Sequence, residues 1–159
     1  YLIGDTIKFT NLDRCEIKIT GRTKHFLSLC GEHLSVDNMN KAMELLNNEY
    51  DVALEEFTVC GVPYKGFFAH EWYIACDNEN IRQKVEEIRY KLDMTLKVLN
   101  DDYRVERSAA LKNIVVHLVP SQVFYDWLKV NGKDGAQSKF PRVLKNDLSE
   151  SWRNFIKDK

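Results

Sequence analysis

The sequence predicts an α+β domain: a ferredoxin-like split β-α-β core with an N-terminal β-hairpin and extra C-terminal helices. Three observations predict it. From His25 to Val119 the apolar periodicity runs strand, helix, strand, strand, helix, strand, the order of a split β-α-β module. Ahead of that stretch, two short runs of strand character flank a turn and read as a hairpin. Behind it, apolar residues recur at helical spacing in two further segments. A chain of 159 residues, 44% hydrophobic and 30% charged, is ample for one such core.

Taken in order, the first strand is expected over Leu2 to Phe9 and the second over Cys15 to Thr20, where Cys15, Ile17 and Ile19 alternate with Glu16 and Lys18. Asn11, Leu12 and Asp13 supply the turn between them. A third strand is expected from His25 to Cys30. Ser35 is placed to cap a helix whose apolar residues Val36, Met39, Met43 and Leu46 step by three and four, with Asp37 in its first turn and an exit at Asn47 and Asn48. Asp51 to Cys60 and Gly66 to Cys76 read as a hairpin rich in Val, Phe, Trp and Tyr, joined across Gly61 to Gly66. The clearest helical stripe follows Asp77 and Asn78, through Ile81, Val85, Ile88, Leu92, Leu96 and Leu99. A second helix or turn, about Asp102 to Leu111, leads to a strand over Asn113 to Val119. Beyond Pro120 and Ser121, Phe124, Trp127 and Leu128 mark an amphipathic helix. Asn131 to Gly135 form a loop, and a short terminal helix from Ser149 uses Trp152 and Phe155. No internal repeat or low-complexity linker interrupts the chain.

Charge excludes several function classes. Lys plus Arg total 23 against 24 Asp plus Glu, a net charge of -1, so no general basic footprint for nucleic acid or an anionic membrane exists. No apolar run approaches the roughly 20 residues of a membrane-spanning helix, and no signal peptide is evident. Cys15, Cys30, Cys60 and Cys76 lack C-x-x-C spacing. A domain of this size needs no disulfide staples, so they read as buried free thiols in a reduced, cytoplasmic protein. His25, His33, His70 and His117 lack the spacing of a metal site, and none is expected.

Two terminal segments carry the chemistry. Tyr1, Leu2, Ile3, Gly4 and Asp5 form a Y-x-x-G-D segment; Gly21, Arg22, Thr23 and Lys24 follow it, then Gly31 seven residues after Lys24. Near the other end stand Gln137, Ser138, Lys139, Phe140, Pro141 and Arg142, a Q-x-K-x-P-R segment. Together these resemble the end of the large domain and the small domain of adenylate-forming enzymes, and within them the auxin-responsive acyl-acid amido synthetase family, in its bacterial type. The resemblance covers essentially the whole chain. Residues 1–24 then correspond to the end of the large-domain segment, the β-hairpin and the hinge, and residues 25–159 to the C-terminal mobile lid. The chain opens on Tyr1 without an initiator Met, so it reads as a fragment whose partner is the missing N-terminal large domain.

The resemblance also implies roles. The family activates a carboxylic acid with ATP, accompanied by Mg²⁺, and passes the acyl group to an amino acid amine. Asp5 matches the acceptor for ribose hydroxyls, a task suited to a carboxylate, whose oxygens both accept. Arg22 matches a ribose- or phosphate-contacting arginine. Lys24 matches the hinge residue about which the lid swings, and Gly31 the glycine of the loop that the rotated lid presents to the acceptor. Lys139 matches the lysine that stabilises charge on the reacting carboxylate and α-phosphate. The proline-lysine-threonine-rich segment with a G-K pair, usual in the wider superfamily, is absent, so the assignment of Lys139 comes through the amido synthetase likeness alone. Gln137 and Arg142 are secondary candidates, and Glu32 with His33 lies beside the Gly31 loop. By the same likeness the fragment alone is inactive.

Two other readings share the topology. Lys65, Gly66 and Phe67 copy the opening of an RNA-recognition motif, but Phe68 and Ala69 break it. A small-molecule-binding regulatory domain of ferredoxin-like topology is the stronger alternative, since fold alone does not separate it from a lid.

Overall fold

The computed structural model describes residues 5–22, 26–132 and 139–157. It is α+β, with a four-stranded mixed sheet between two helical layers, preceded by a separate two-stranded hairpin. β1 (Asp5–Asn11) and β2 (Glu16–Arg22) form that antiparallel hairpin, as expected. Ile7 faces Ile19 and Phe9 faces Ile17 across it. The period of two puts all four on one side, and each is at least half exposed.

Of the expected strand over residues 25–30, the described part forms β3 (Phe26–Leu27), which pairs with β4 (Leu34–Ser35) and, among the described residues, does not enter the main sheet. The reason lies at Leu29 and Cys30, whose amides donate to the Glu32 side chain, so that stretch makes no strand ladder. Ser35 caps α1 (Val36–Tyr50) as predicted, its hydroxyl accepting from the Asn38 amide while the Asn38 side chain accepts from the Ser35 amide. The helix runs past Asn47 and Asn48 and ends where Asp51 turns left-handed at φ 51°.

β5 (Phe57–Tyr64) and β6 (Phe67–Ala75) are the central hairpin. Their turn is tighter than the six residues expected. Lys65 and Gly66 alone make it, with φ 48° and 82°, the two positive values of a type I′ turn whose twist suits a hairpin. The sequence motif shared with RNA-recognition modules is therefore a turn. The helical stripe is split into α2 (Glu79–Arg82) and α3 (Val85–Leu99), followed by α4 (Asp101–Ser108). Asn78 and Asn100 cap α2 and α4 through their side-chain oxygens. β7 (Leu111–Val119) lies parallel to β6, and the two-residue β8 (Val143–Leu144) lies parallel to β5, giving the order β7-β6-β5-β8. β8 thus joins the sheet where the 25–30 segment does not.

Alternation along β6 divides the core. Trp72, Ile74 and the following Cys76 face α1, α3 and α4, packing with Met39, Leu46, Ile88, Leu92 and Tyr103. Tyr73 and Ala75 face α5 (Ser121–Val130) and α6 (Asp147–Lys157), where Trp152 meets Phe124, Trp127, Phe140 and Tyr73 at ring-centroid distances of 4.9 to 5.9 Å. These tilted and edge-on contacts suit the quadrupoles of the rings. All four cysteines are free, but only Cys60 and Cys76 are buried; Cys30 is half-buried, and Cys15 stands exposed in the β1–β2 turn at φ 52°. No helix among the described residues is long and apolar enough to cross a membrane.

Candidate functional site

The two terminal motifs occupy three places. Asp5 and Arg22 are register partners at the open end of the β1–β2 hairpin, so residues 17 apart in sequence meet across one pair of strands. Lys24 and Gln137 lie outside the described residues.

Gly31 stands at the tip of the loop between β3 and β4, with φ 116°, a conformation that favours glycine. Its open side faces the Glu106 carboxylate of α4, 3.5 Å from where a Cβ would sit. The loop is folded inward around the next residue. Glu32 is fully buried and accepts from the Leu29 amide at 2.9 Å, the Cys30 amide at 3.0 Å and His70 Nε2 at 2.9 Å. Burial alone raises a carboxyl, but the His70 hydrogen bond and the backbone amides outweigh it and bring Glu32 down to about 2. His70, equally buried on β6, is pushed below its ordinary range by burial. The pair is therefore an ionised carboxylate receiving a hydrogen bond from a neutral imidazole. Burial and the neighbouring Glu32 charge push the Cys30 thiol up to about 12, which leaves it a poor nucleophile. His33 points the other way, exposed, with Nδ1 3.6 Å from Asp102.

Lys139 is exposed, and its neighbour Phe140 is buried among the rings of α5 and α6. Among the described residues no carboxylate pairs with Lys139. The segment is fastened to the sheet edge: Thr58 Oγ1 donates to the Pro141 carbonyl at 2.8 Å, and the Val59 amide to that of Arg142 at 3.0 Å. Arg142 is a clamp, bound to Glu56 at 2.9 Å and to the Phe57 and Glu55 carbonyls, with its guanidinium 4.4 Å from the Phe57 ring centroid.

The Gly31 loop and the segment that carries Lys139 are anchored at different levels of β5. Leu29 packs on Gly61 of β5, and Gly61 is opposite His70, so the loop sits on the α1/α3/α4 side near that level. The segment that carries Lys139 is fastened at the level of Thr58, about 10 Å away along the strand at roughly 3.3 Å per residue.

Two polar networks among the described residues carry no motif in the sequence. Asp93 of α3 receives Arg107 Nε at 2.8 Å and Nη2 at 3.1 Å, Lys97 at 2.8 Å and the Tyr103 hydroxyl at 2.9 Å. Burial opposes the charge on Asp93, but Arg107 and Lys97 hold its carboxyl below the ordinary range. On the other face, Glu71 bridges His117 at 3.1 Å and Arg153 at 3.0 Å. Beside Arg153 a cleft of about 430 Å³ opens between Ser28, Gly61, Lys145 and Glu150.

A family model, the GH3 family C-terminal domain, matches residues 37–147. Among solved structures the chain is similar to one titled "GH3.15 acyl acid amido synthetase", with a TM-score of 0.72 at 21% identity over 99% of this chain and 30% of that one. It is also similar to "AtGH3.15 acyl acid amido synthetase in complex with 2,4-DB", with a TM-score of 0.70 at 22% identity over 98% of this chain and 29% of that one. At these identities the two likenesses concern the fold, and this chain spans about 30% of the length of either structure. No curated protein matches.

Proposed function

The chain belongs to the GH3 family, as its C-terminal domain, and from that premise we propose that it is the mobile lid of an ATP-dependent acyl-acid amido synthetase. The family match over residues 37–147 carries this reading. In the whole enzyme a carboxylic acid and ATP give an acyl-adenylate and pyrophosphate, and an amino acid amine then displaces AMP. ATP and Mg²⁺ enter together as substrate, the metal held by the phosphates.

Each candidate takes one task. The Asp5 carboxylate accepts from the ribose hydroxyls, and Arg22, its cross-strand neighbour, contacts ribose or phosphate. Lys24 is the hinge. Lys139, exposed and without a carboxylate partner among the described residues, stabilises negative charge during adenylation. The Gly31 loop shapes the site for the amine. The anchoring of the Gly31 loop and of the Lys139 segment at different levels of β5 supports a lid that turns between stages to offer each in turn to a single site. The lid alone is inactive, its large domain being the partner that supplies the remaining pockets.

The test is ATP–pyrophosphate exchange by the full-length protein over a panel of carboxylic acids, with Lys139→Ala alongside. One or more acids should stimulate exchange, and the variant should lose it by roughly tenfold or more, the equivalent of about 1.4 kcal/mol in the barrier, while transfer from supplied acyl-adenylate is largely kept. Equal losses in both half-reactions would remove Lys139 from its assigned role. A folded full-length protein that does not bind ATP would return the regulatory-domain reading to the front.

A further inference from the structure

The Gly31 loop is organised by a single side chain. Glu32 gathers the Leu29 and Cys30 amides with one carboxylate, and His70 is its contact to the rigid sheet. Both Glu32 and His70 are fully buried, so losing either leaves the other a buried polar group without its partner. The backbone on either side is forced to left-handed values, Gly31 at φ 116° and His33 at φ 37°. Non-glycine residues seldom adopt that region, and histidine is one of those that enter it more readily.

The tautomer follows from geometry. His70 Nε2 faces a carboxylate and carries the proton, while Nδ1 is buried without a partner among the described residues. The imidazole therefore serves as a fixed donor. It sits on the central strand, with its ring 5.7 Å from that of Tyr103, and Tyr103 is in turn held by Asp93. The loop is thereby referred to the packed core of α3, α4 and the sheet.

We propose that His70, acting through Glu32, is the positioning residue that holds the Gly31 loop in its working shape for the acyl-transfer half-reaction. This rests on the reading of the full-length protein as an amido synthetase whose second stage uses that loop. Neither side chain touches the reacting atoms. Their effect falls on the geometry of transfer and spares adenylation, which is assigned to Lys139.

The experiment compares full-length wild type, Glu32→Gln, His70→Ala and His70→Gln by three readouts. These are pyrophosphate exchange with the acid chosen by the panel, transfer from that acid's adenylate to each common amino acid, and amide hydrogen exchange over residues 27–34. Glu32→Gln and His70→Ala should lower kcat for transfer by roughly 10- to 100-fold, as small misplacements do, with pyrophosphate exchange kept within about twofold. The amides of Leu29 and Cys30 should exchange faster. Gln at position 70 can donate to Glu32 and should restore transfer to within about threefold. Parallel losses in both half-reactions, unchanged loop protection, or a His70→Gln no better than His70→Ala would overturn the proposal. Absence of pyrophosphate exchange in wild type would instead overturn the synthetase reading and with it the catalytic half of this inference, while loop protection would still decide whether the pair holds the loop.

Discussion

Replacing Gly61 with alanine tests the contact that seats the Gly31 loop on the sheet. A Cβ at this position would lie 2.3, 2.6 and 2.7 Å from Cδ2, Cδ1 and Cγ of Leu29. Ordinary carbon–carbon contact is roughly 3.5–4.0 Å, so Leu29 would have to withdraw by about 1 Å or more. Three of its atoms are involved, including the branch carbon, and rotating one methyl group does not relieve them. Gly61 has no left-handed backbone to protect. On conformational entropy alone, alanine would therefore stabilise by about 0.4–1 kcal/mol. Overpacking costs about 1–3 kcal/mol, so the clash wins and the sign is destabilising. The melting midpoint of the 159-residue chain should fall by a few degrees, at roughly 2–4 °C per kcal/mol. Urea denaturation of Gly61→Ala, Leu29→Ala and the double variant gives the coupling directly. In the Leu29→Ala background the alanine at 61 should become neutral or stabilising. A single Gly61→Ala variant as stable as wild type would refute the reasoning, since Leu29 would then not be committed to that seat.

Two further outcomes follow from the buried charges. Asp93→Asn leaves the Arg107 guanidinium without its bidentate carboxylate and should destabilise the chain by about 3–5 kcal/mol, read as a lower urea midpoint at unchanged slope. Glu32, brought down to about 2 from the ordinary 4.5, contributes stability that is fully present above pH 4.5 and is lost as pH falls toward 2. That contribution is about 3 kcal/mol at neutral pH. The stability difference between wild type and Glu32→Gln should accordingly shrink on acidification, and a difference that stays constant from pH 7 to pH 3 would contradict the ionised state.

What could be read in advance divides along physical lines. The Ser35 cap was legible because capping depends on neighbours three residues away, and the long stripe from Ile88 to Leu96 because one helical face is buried throughout. The failure at residues 25–30 has a definite cause. Phe26, Leu27 and Leu29 have strand character, but a side chain three residues beyond Leu29 captures the amides that a strand would need. β8 was illegible because two residues carry no period. Among the site residues, the spacing of Asp5 and Arg22 marks them only through a family likeness, whereas their meeting across the hairpin is a matter of register. Glu32 and His70 are 38 residues apart, and no local rule joins them. One signal pointed to His70: it keeps the alternation of Trp72 and Ile74, which places an imidazole on the most buried face of the sheet.

The brevity of β8 bears on how the sheet avoids other sheets. An unfinished strand edge is a template on which a foreign chain can grow, and β5 would present one along its whole length were it not met by Val143 and Leu144 at Val59 and Cys60. Past that point the same strand carries Pro63, which has no amide hydrogen to offer an incoming ladder. Two positions of the border are thus closed by the chain's own return, and further along it an imino acid withholds a donor. Replacing Pro63 with a donor such as valine would make this margin adhesive, and self-association would be its first symptom.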